Sequence, residues 1–295
     1  MVVTTPDGVE LHVETDGAGA PILFLHEFAG DHRSWEPQVA EFADRYRCVR
    51  YAARGYLPSE VPSDPAAYTY VRAREDAIAV LDALGIGQAH VVGLSMGGFT
   101  ALQLGIHFPQ RVRSLVVASA GSGAQPETRD RFRAETAAVA DGFREEGPAI
   151  MARKLGLGPS RVQLQNKNPQ AWATFVRQLA EHSAEGSALT VLGIQCERPS
   201  LWELTGDLRS ITAPTLILNG DEDDACLEAG LLLKRTVLSS ALQVLPRTGH
   251  AGNLEEPAAF NRAVREFFAA VEAGEWTTRD PRSRGQSMIG SGDRD

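Results

Sequence analysis

The chain has 295 residues, of which 43% are hydrophobic and 23% charged, the composition of an ordinary soluble globular protein. Its formal net charge of −9 argues against nucleic acid or an anionic membrane as a partner, because both bind basic surfaces. The length permits one large domain or two small ones, and no apolar run approaches the roughly 20 residues that a membrane-spanning helix needs.

The cysteines and the first residues bear on the compartment. Cys48, Cys196 and Cys226 lie far apart and in no C-x-x-C spacing, so neither a disulfide framework nor a zinc site is indicated. The sequence begins without a basic segment followed by an apolar core, so no signal peptide is evident. We therefore expect a reduced, cytoplasmic protein.

Strand and helix patterns alternate along the first part of the chain. Residues 9–14 alternate apolar and polar side chains after a turn, which predicts a half-buried strand in an antiparallel edge hairpin. Residues 21–25 are continuously apolar, as a strand buried on both faces should be. The segments that follow are a helix at 34–42, a strand at 46–51 and a helix at 68–84.

The stretch at 89–98 combines a β-branched run with a glycine-rich turn and the start of a helix. A G-x-S-x-G match between a strand and a helix predicts a nucleophile elbow centred on Ser95. Ser95 would then have a strained backbone, with Gly93 and Gly97 giving room where a Cβ would collide with a neighbouring strand or helix. The alternative is a glycine-rich turn with an incidental serine.

The later part of the chain divides into a helical segment and a return to the sheet. A strand at 113–119 completes a pattern that predicts an α/β fold with a mostly parallel, doubly wound sheet. Residues 121–211 show helical patterning, strongest at 127–146, 169–183, 184–195 and 200–210. An insertion of roughly 90 residues is too long for a connector, and it predicts a lid over the site.

The sheet pattern resumes after the insertion. Strands are predicted at 214–218 and 242–245, with a helix at 225–237 between them, and a final helix follows Glu255 and Glu256. We therefore expect residues 1–120 and 212–272 to form the core. Residues 273–295 make a polar tail, to which no function is assigned.

A serine hydroxyl needs a neighbouring base to act as a nucleophile at neutral pH. His250 is the best candidate, because it lies in a loop directly after a predicted strand, at the same edge of the sheet as Ser95. The acidic cluster at 221–224 follows another predicted strand and provides a carboxylate for the second imidazole nitrogen. Position alone leaves open which of the four carboxylates serves. No second acidic cluster has metal-ligand spacing, so a calcium site is discounted.

These motifs resemble the α/β-hydrolase superfamily, and within it the lidded group of esterases, enol-lactonases and carbon–carbon bond hydrolases. The resemblance covers roughly residues 8–272. It is carried by the elbow GLSMGG at 93–98, the acid loop GDED at 220–223, and the Gly249-His250 loop with Glu255, Glu256 and Pro257 downstream. It implies a catalytic triad of Ser95, His250 and Asp223, with Asp224 as the second choice for the acid.

The same resemblance implies an oxyanion hole made by the backbone N–H groups of Phe28 and Met96. The chain departs from the family pattern where His26-Glu27 replaces the usual His-Gly, and where Ala52-Ala53 replaces an aspartate before the Arg54-Gly55 pair. Glu27 is a candidate for substrate contact, and the alternative is a solvated loop carboxylate. His26 is expected to bind backbone rather than substrate.

We expect a serine hydrolase that cleaves a carboxylic ester or lactone of modest size through an acyl-enzyme, without a metal or an organic cofactor, as a monomer or homodimer. Two same-fold alternatives are a carbon–carbon hydrolase of ring-cleavage products and an enol-lactonase, which the stretch HRSWEPQ at 32–38 favours. An alternative from another class is a ligand receptor that retains the triad. Epoxide hydrolase and dehalogenase chemistry would need a carboxylate in place of Ser95.

The lid is expected to determine the choice of substrate, because the triad alone does not define an acyl group. Large aromatic side chains are candidates for the pocket lining, with burial in the core as the alternative. The aromatic candidates are Phe28, Trp35, Phe143, Trp172 and Trp202, and Met96 is a further candidate.

Overall fold

One mixed sheet organises the molecule in a computed structural model that describes residues 1–284. Its eight strands lie in the order β1-β2-β4-β3-β5-β6-β7-β8. Their bounds are β1 Val2–Thr4, β2 Glu10–Asp16, β3 Ala20–Leu25, β4 Tyr46–Tyr51, β5 Ala89–Leu94, β6 Val112–Ala118, β7 Thr215–Gly220 and β8 Ser240–Leu245. Strands β3 to β8 are parallel, while β1 and β2 pair antiparallel at one edge, as the sequence predicted.

Helices cover both faces of the sheet and fill the segment between β6 and β7. Those of the core are α1 Glu36–Phe42, α2 Tyr70–Ala83, α3 Met96–His107, α10 Asp224–Thr236, α11 Gly252–Glu255 and α12 Pro257–Glu272. Those between β6 and β7 are α4 Arg129–Glu145, α5 Pro148–Gly156, α6 Val162–Lys167, α7 Pro169–Leu179, α8 Ala184–Thr190 and α9 Thr205–Leu208. We call residues 121–211, which carry the second group, the helical insertion.

The central strands are buried on both faces because neighbouring side chains point to opposite sides of the sheet. On β5, Val91 belongs to an apolar cluster with Leu102 of α3, and Val92 belongs to a second cluster with Val264 of α12. The carboxyl ends of the parallel strands therefore meet at one edge, between two packed helical layers, which is where ligands bind in such sheets.

The helical insertion differs from its prediction in detail. Helices α5 and α6 occupy stretches where no helix was predicted, and the helix expected at 200–210 is reduced to the single turn of α9. The helix expected at 184–195 changes after Thr190 into a wider π-helical turn at Val191–Cys196. Gly147, with φ of 85°, follows the end of α4, and Pro148 is the first residue of α5. The helical pattern therefore continues in a second helix after this break.

The described part of the predicted tail lies against the core. Trp276 packs on Phe267 with ring centroids 4.6 Å apart, and its Nε1–H donates to the Ser239 carbonyl at 2.7 Å. The rest of that tail, 285–295, lies outside the described residues. Within residues 1–284, no helix has both the length and the apolar character to cross a membrane.

Candidate active site

Ser95 lies at the sharp junction between β5 and α3, with φ of 55° and ψ of −109°. This is a strained conformation for a residue with a Cβ, as the sequence predicted. The two flanking glycines allow it. A Cβ on Gly93 would collide with the backbone of Gly97, and one on Gly97 would collide with the carbonyl of Leu25 on β3. The serine side chain is thereby held at the carboxyl edge of the sheet.

His250 lies in the loop after β8, with its Nδ1 2.9 Å from Oδ2 of Asp223 at the end of β7. Both side chains are buried, whereas the neighbouring Asp224 is exposed in the first turn of α10. The contact falls on the carboxylate that the family resemblance implied and that position alone had left open. It is Asp223 that contacts the histidine.

Burial and charge act in opposite directions on this pair. Burial alone would lower the pKa of His250, but the charge of Asp223 and its hydrogen bond raise that pKa well above its ordinary value. Burial alone would raise the pKa of Asp223, and the histidine charge and hydrogen bonds keep it below its usual value. The pair thus favours an anionic carboxylate beside an imidazole that readily accepts a proton.

The loop around His250 is held by contacts that the sequence did not reveal. Glu255, expected only at the start of the last helix, accepts hydrogen bonds from the N–H groups of Gly249 at 2.7 Å and Ala251 at 3.1 Å. The His250 N–H donates to the carbonyl of Ser160 in the insertion at 3.3 Å. Both the core and the insertion therefore position the imidazole.

The loop after β3 presents a backbone donor to the same region. His26 donates from Nδ1 to the Glu27 carbonyl at 2.7 Å, and its Nε2 accepts from the Ala53 N–H at 3.0 Å. Burial lowers the pKa of His26 to about 4, so this ring is neutral and binds backbone, as predicted. Within residues 1–284, no acceptor is found for the N–H of Phe28 or Met96. Phe28 lines the cavity that holds Ser95, whereas Met96 is not among the residues that line it.

Glu27 is buried, with only 2% of its surface exposed, so the alternative of a solvated loop carboxylate is wrong. Its Oε2 pairs with Arg161 of the insertion and lies 4.0 Å from Nε2 of His250. Sequence reasoning missed Arg161. Its partner is 134 positions away, and nothing in the local pattern marks this arginine.

A cavity of about 340 Å³ joins these groups. The core contributes Glu27, Phe28, Ala29, Ser95, Asp223, Ala225 and His250, and the insertion contributes Ser122, Phe132, Glu135, Thr136, Val139, Leu155, Ser160, Arg161, Val191 and Gln195. No hydrogen bond joins Ser95 to His250 within the described chain, although both line the cavity. Such contacts often tighten only when substrate is bound.

Of the residues predicted to line the pocket, Phe28 does so, whereas Trp35, Met96, Phe143, Trp172 and Trp202 are not among the lining residues. Trp35 is fully buried under the sheet, with its ring 5.1 Å from that of Phe24. Phe143 lies behind Phe28 rather than in the cavity, with ring centroids 6.0 Å apart.

The other two aromatic residues also pack elsewhere. Trp172 donates from Nε1 to the Gly156 carbonyl at 2.7 Å, inside the insertion, and Trp202 packs against the apolar cluster on the α3 face of the sheet. Trp35 and Phe143 are fully buried and Trp172 and Trp202 partly buried, so all four contribute apolar burial to packing.

Two groups of potential metal ligands occur in the described part of the chain, each with its ligand atoms within 4.8 Å of one another. The first consists of Asp223, Cys226 and His250, where the carboxylate and Nδ1 already bind each other. The second consists of His12, Glu14 and His32, outside the cavity.

Comparisons with known proteins agree with this fold. Residues 20–257 match the family described as the alpha/beta hydrolase fold. The chain is 30% identical over 276 residues to 3-oxoadipate enol-lactonase 1 of Acinetobacter baylyi, covering 92% of this chain and 98% of that protein.

Two solved structures are similar over their whole length. A thermophilic esterase from Thermogutta terrifontis superimposes with a TM-score of 0.81 at 28% identity, covering 92% of this chain and 98% of that one. The enol-lactonase from Burkholderia xenovorans superimposes with a TM-score of 0.79 at 25% identity, covering 91% and 100%.

Proposed function

Because this chain belongs to the α/β-hydrolase family, we propose that it is a serine hydrolase that cleaves a carboxylic ester or lactone through an acyl-enzyme. The related enol-lactonases and esterase support the general class of ester or lactone hydrolysis. The observation that carries the proposal is the 2.9 Å contact between Asp223 and His250 at the cavity that also holds the strained Ser95.

The proposed reaction begins at Ser95. Its Oγ attacks the carbonyl carbon while Nε2 of His250 takes the hydroxyl proton, and the same nitrogen then gives that proton to the leaving oxygen. Asp223 holds the Nδ1–H, which fixes the tautomer and stabilises the imidazolium. A water molecule, deprotonated by Nε2 of His250, then attacks the acyl-enzyme, and the imidazolium returns that proton to Oγ of Ser95 as the acid is released.

The backbone N–H groups of Phe28 and Met96 are the proposed oxyanion hole. Neither is bound to another acceptor within residues 1–284, and Met96 begins α3, where the helix dipole favours negative charge. Donors placed in advance where charge develops contribute on the order of 3 kcal/mol each to the stabilisation of a transition state. No metal or organic cofactor is needed for these steps.

The helical insertion is the proposed lid. Residues 121–211 supply much of the cavity wall, including Phe132, Val139 and Leu155, while residues 1–120 and 212–272 supply the proposed catalytic groups. This division supports the view that the insertion selects the substrate and that the core performs the chemistry.

The enol-lactonase relatives support a lactone as one candidate substrate class, beside the ester class that the related esterase supports. A 3-oxoadipate enol-lactonase matches 98% of its length to this chain, and the enol-lactonase structure is covered completely. Both ester and lactone follow the same steps, since a lactone is an internal ester whose leaving oxygen stays attached to the acyl group.

The test is covalent labelling with a fluorophosphonate, followed by turnover of p-nitrophenyl butyrate and of a panel of lactones. The native protein is expected to take up one label on Ser95, and Ser95→Ala is expected to lose both labelling and turnover. Ser122 provides the matched control, because it is a second serine lining the same cavity, and Ser122→Ala should keep the label. Label on Ser95 without turnover of any ester or lactone would favour a ligand receptor.

A further inference from the structure

The pair formed by Glu27 and Arg161 is the least expected feature of the cavity. Both side chains are at least 95% buried, and they join the loop after β3 to the insertion. Burying an ion pair removes two charges from water and is seldom favourable for stability alone. Such a pair at the edge of a proposed catalytic site calls for a role other than stability.

His250 lies between two carboxylates. Its Nδ1 faces Asp223 at 2.9 Å and Cys226 at 3.9 Å, while its Nε2 lies 4.0 Å from Oε2 of Glu27. Arg161 pairs with the same Oε2 of Glu27, and Glu255 binds the backbone on both sides of the histidine. Glu27 is thus the charged group beside the nitrogen that must receive the Ser95 proton.

A free carboxylate beside Nε2 would oppose catalysis. It would stabilise the proton on that nitrogen, and an imidazole already protonated there cannot serve as a base. Arg161 counters this effect because its guanidinium binds the same Oε2 that faces the histidine. The cation both holds the carboxylate and offsets its charge.

The placement of Arg161 depends on the insertion. Its guanidinium lies 4.7 Å from the centre of the Phe175 ring on α7, and the preceding residue, Ser160, accepts the N–H of His250 through its carbonyl. Movement of the turn that carries Ser160 and Arg161 away from the core would therefore have two effects at once. It would break the contact with His250, and it would withdraw the cation from Glu27.

We propose that Arg161 is a positioning residue that keeps the Glu27 carboxylate from binding Nε2 of His250. When the insertion is packed against the core, His250 is then free to accept the Ser95 proton. This inference rests on the proposed function and deepens it. Glu27, which departs from the family pattern, would then influence the protonation of His250. Proton acceptance by His250 would depend on the position of the insertion.

The test is a titration of His250 by NMR on the full chain with isotope-labelled histidine, with the His250 signal identified from His250→Gln. Arg161→Met leaves Glu27 uncompensated, and we expect it to raise the pKa of His250 by about one to three units. Glu27→Gln leaves Arg161 uncompensated, and we expect a shift of similar size in the opposite direction. The double variant should titrate close to the native protein.

Kinetics and controls complete the test. The pH at which kcat/KM reaches half of its maximum should move in the same directions, and Arg161→Lys, which keeps the charge, should restore it in part. Arg153→Met removes an exposed arginine of α5 and should leave the titration unchanged. If Arg161→Met fails to fold, Glu27→Gln and the double variant still test the proposal.

Shifts in the same direction for both single variants, or no shift in Glu27→Gln, would overturn the proposal and indicate a purely structural ion pair. The titration does not depend on turnover. A failure of Ser95 labelling would therefore count against the proposed function, whereas a failed titration with intact labelling would count against the role of Arg161 alone.

Discussion

At the scale of single residues, the main feature of the cavity is the pairing of buried charged side chains. Asp223 holds Nδ1 of His250, Glu255 holds the loop, and Arg161 neutralises Glu27. Low polarity strengthens each of these interactions and makes an unpaired charge costly. The protonation of His250 is therefore the property most sensitive to substitution in this region.

A first prediction concerns the pH dependence of the proposed reaction. Asp223 raises the pKa of His250 above its ordinary value, so the imidazole becomes neutral only at higher pH. We expect kcat/KM to rise with pH along a limb whose midpoint lies above about 6.5, the ordinary pKa of histidine. Steady-state rates between pH 5 and 9 would measure it.

Asp223→Asn should shift this limb to lower pH, because the amide carries no negative charge. It should also lower kcat on the order of 10⁴-fold, since the tautomer of His250 is no longer fixed. Asp224→Asn is the matched control, because this exposed neighbour does not contact the histidine. If Asp223→Asn left the kinetics unchanged and Asp224→Asn reduced kcat, Asp223 would not be the acid of the triad.

At the scale of elements, the turn between β5 and α3 depends on close backbone packing. The helix begins immediately after a strand, and it can approach β3 only where no Cβ intervenes. Ser95 has a positive φ because the chain must reverse within this space. The strain is maintained by the packed sheet on either side.

A second prediction follows for Gly97→Ala. The new methyl group would meet the carbonyls of Leu25 and His26, which belong to backbone that cannot easily move. We expect the free energy of unfolding to fall by about 2–4 kcal/mol, measured by urea denaturation.

Gly206→Ala is the control for this prediction, because a Cβ there meets nothing within 4 Å and Gly206 lies inside α9. It should leave stability unchanged or raise it by up to about 1 kcal/mol, the difference in helix propensity. Equal stability of the Gly97 variant and the native protein would show that the elbow can relax.

At the scale of the whole molecule, the cavity forms where the insertion meets the carboxyl edge of the sheet. Ion pairs from opposite sides join the two parts, including Arg33 with Glu181 at 2.6 Å and Lys167 with Glu256 at 2.7 Å. They are partly exposed, so each contributes little alone. The shape of the cavity depends on the whole contact between insertion and core.

A third prediction tests the insertion as the source of substrate selection. Val139 of α4 lines the cavity, so Val139→Trp should reduce its volume. We expect kcat/KM for a hexanoate ester to fall roughly tenfold or more relative to an acetate ester, because a longer acyl chain needs the lost space. Ala138→Trp, at the adjacent exposed position, should leave the ratio unchanged.

An unchanged ratio of hexanoate to acetate turnover would contradict substrate selection by the insertion. If Val139→Trp alters hexanoate and acetate turnover equally, the acyl chain does not extend toward α4, and the selection of substrate must be sought among the core residues of the cavity.

The sequence by itself determined the order of the main strands and helices of the core, the elbow at Ser95, and the order in which Ser95, the acidic cluster and His250 occur along the chain. These follow from local patterns, since side-chain periodicity and glycine spacing act within a few residues along the chain. The parallel strands then bring Ser95, Asp223 and His250 to one edge, because successive strands of such a sheet end on the same side.

Only the tertiary structure decided which carboxylate contacts His250, where the large aromatic residues pack, and which side chains from the insertion enter the cavity. A local pattern shows that Trp35 lies on an apolar stripe, but it does not show what that stripe meets. Arg161 meets Glu27 across 134 positions, through the packing of separate helices onto the sheet. Contacts of this kind depend on the shape of the folded molecule, which no single stretch of sequence encodes.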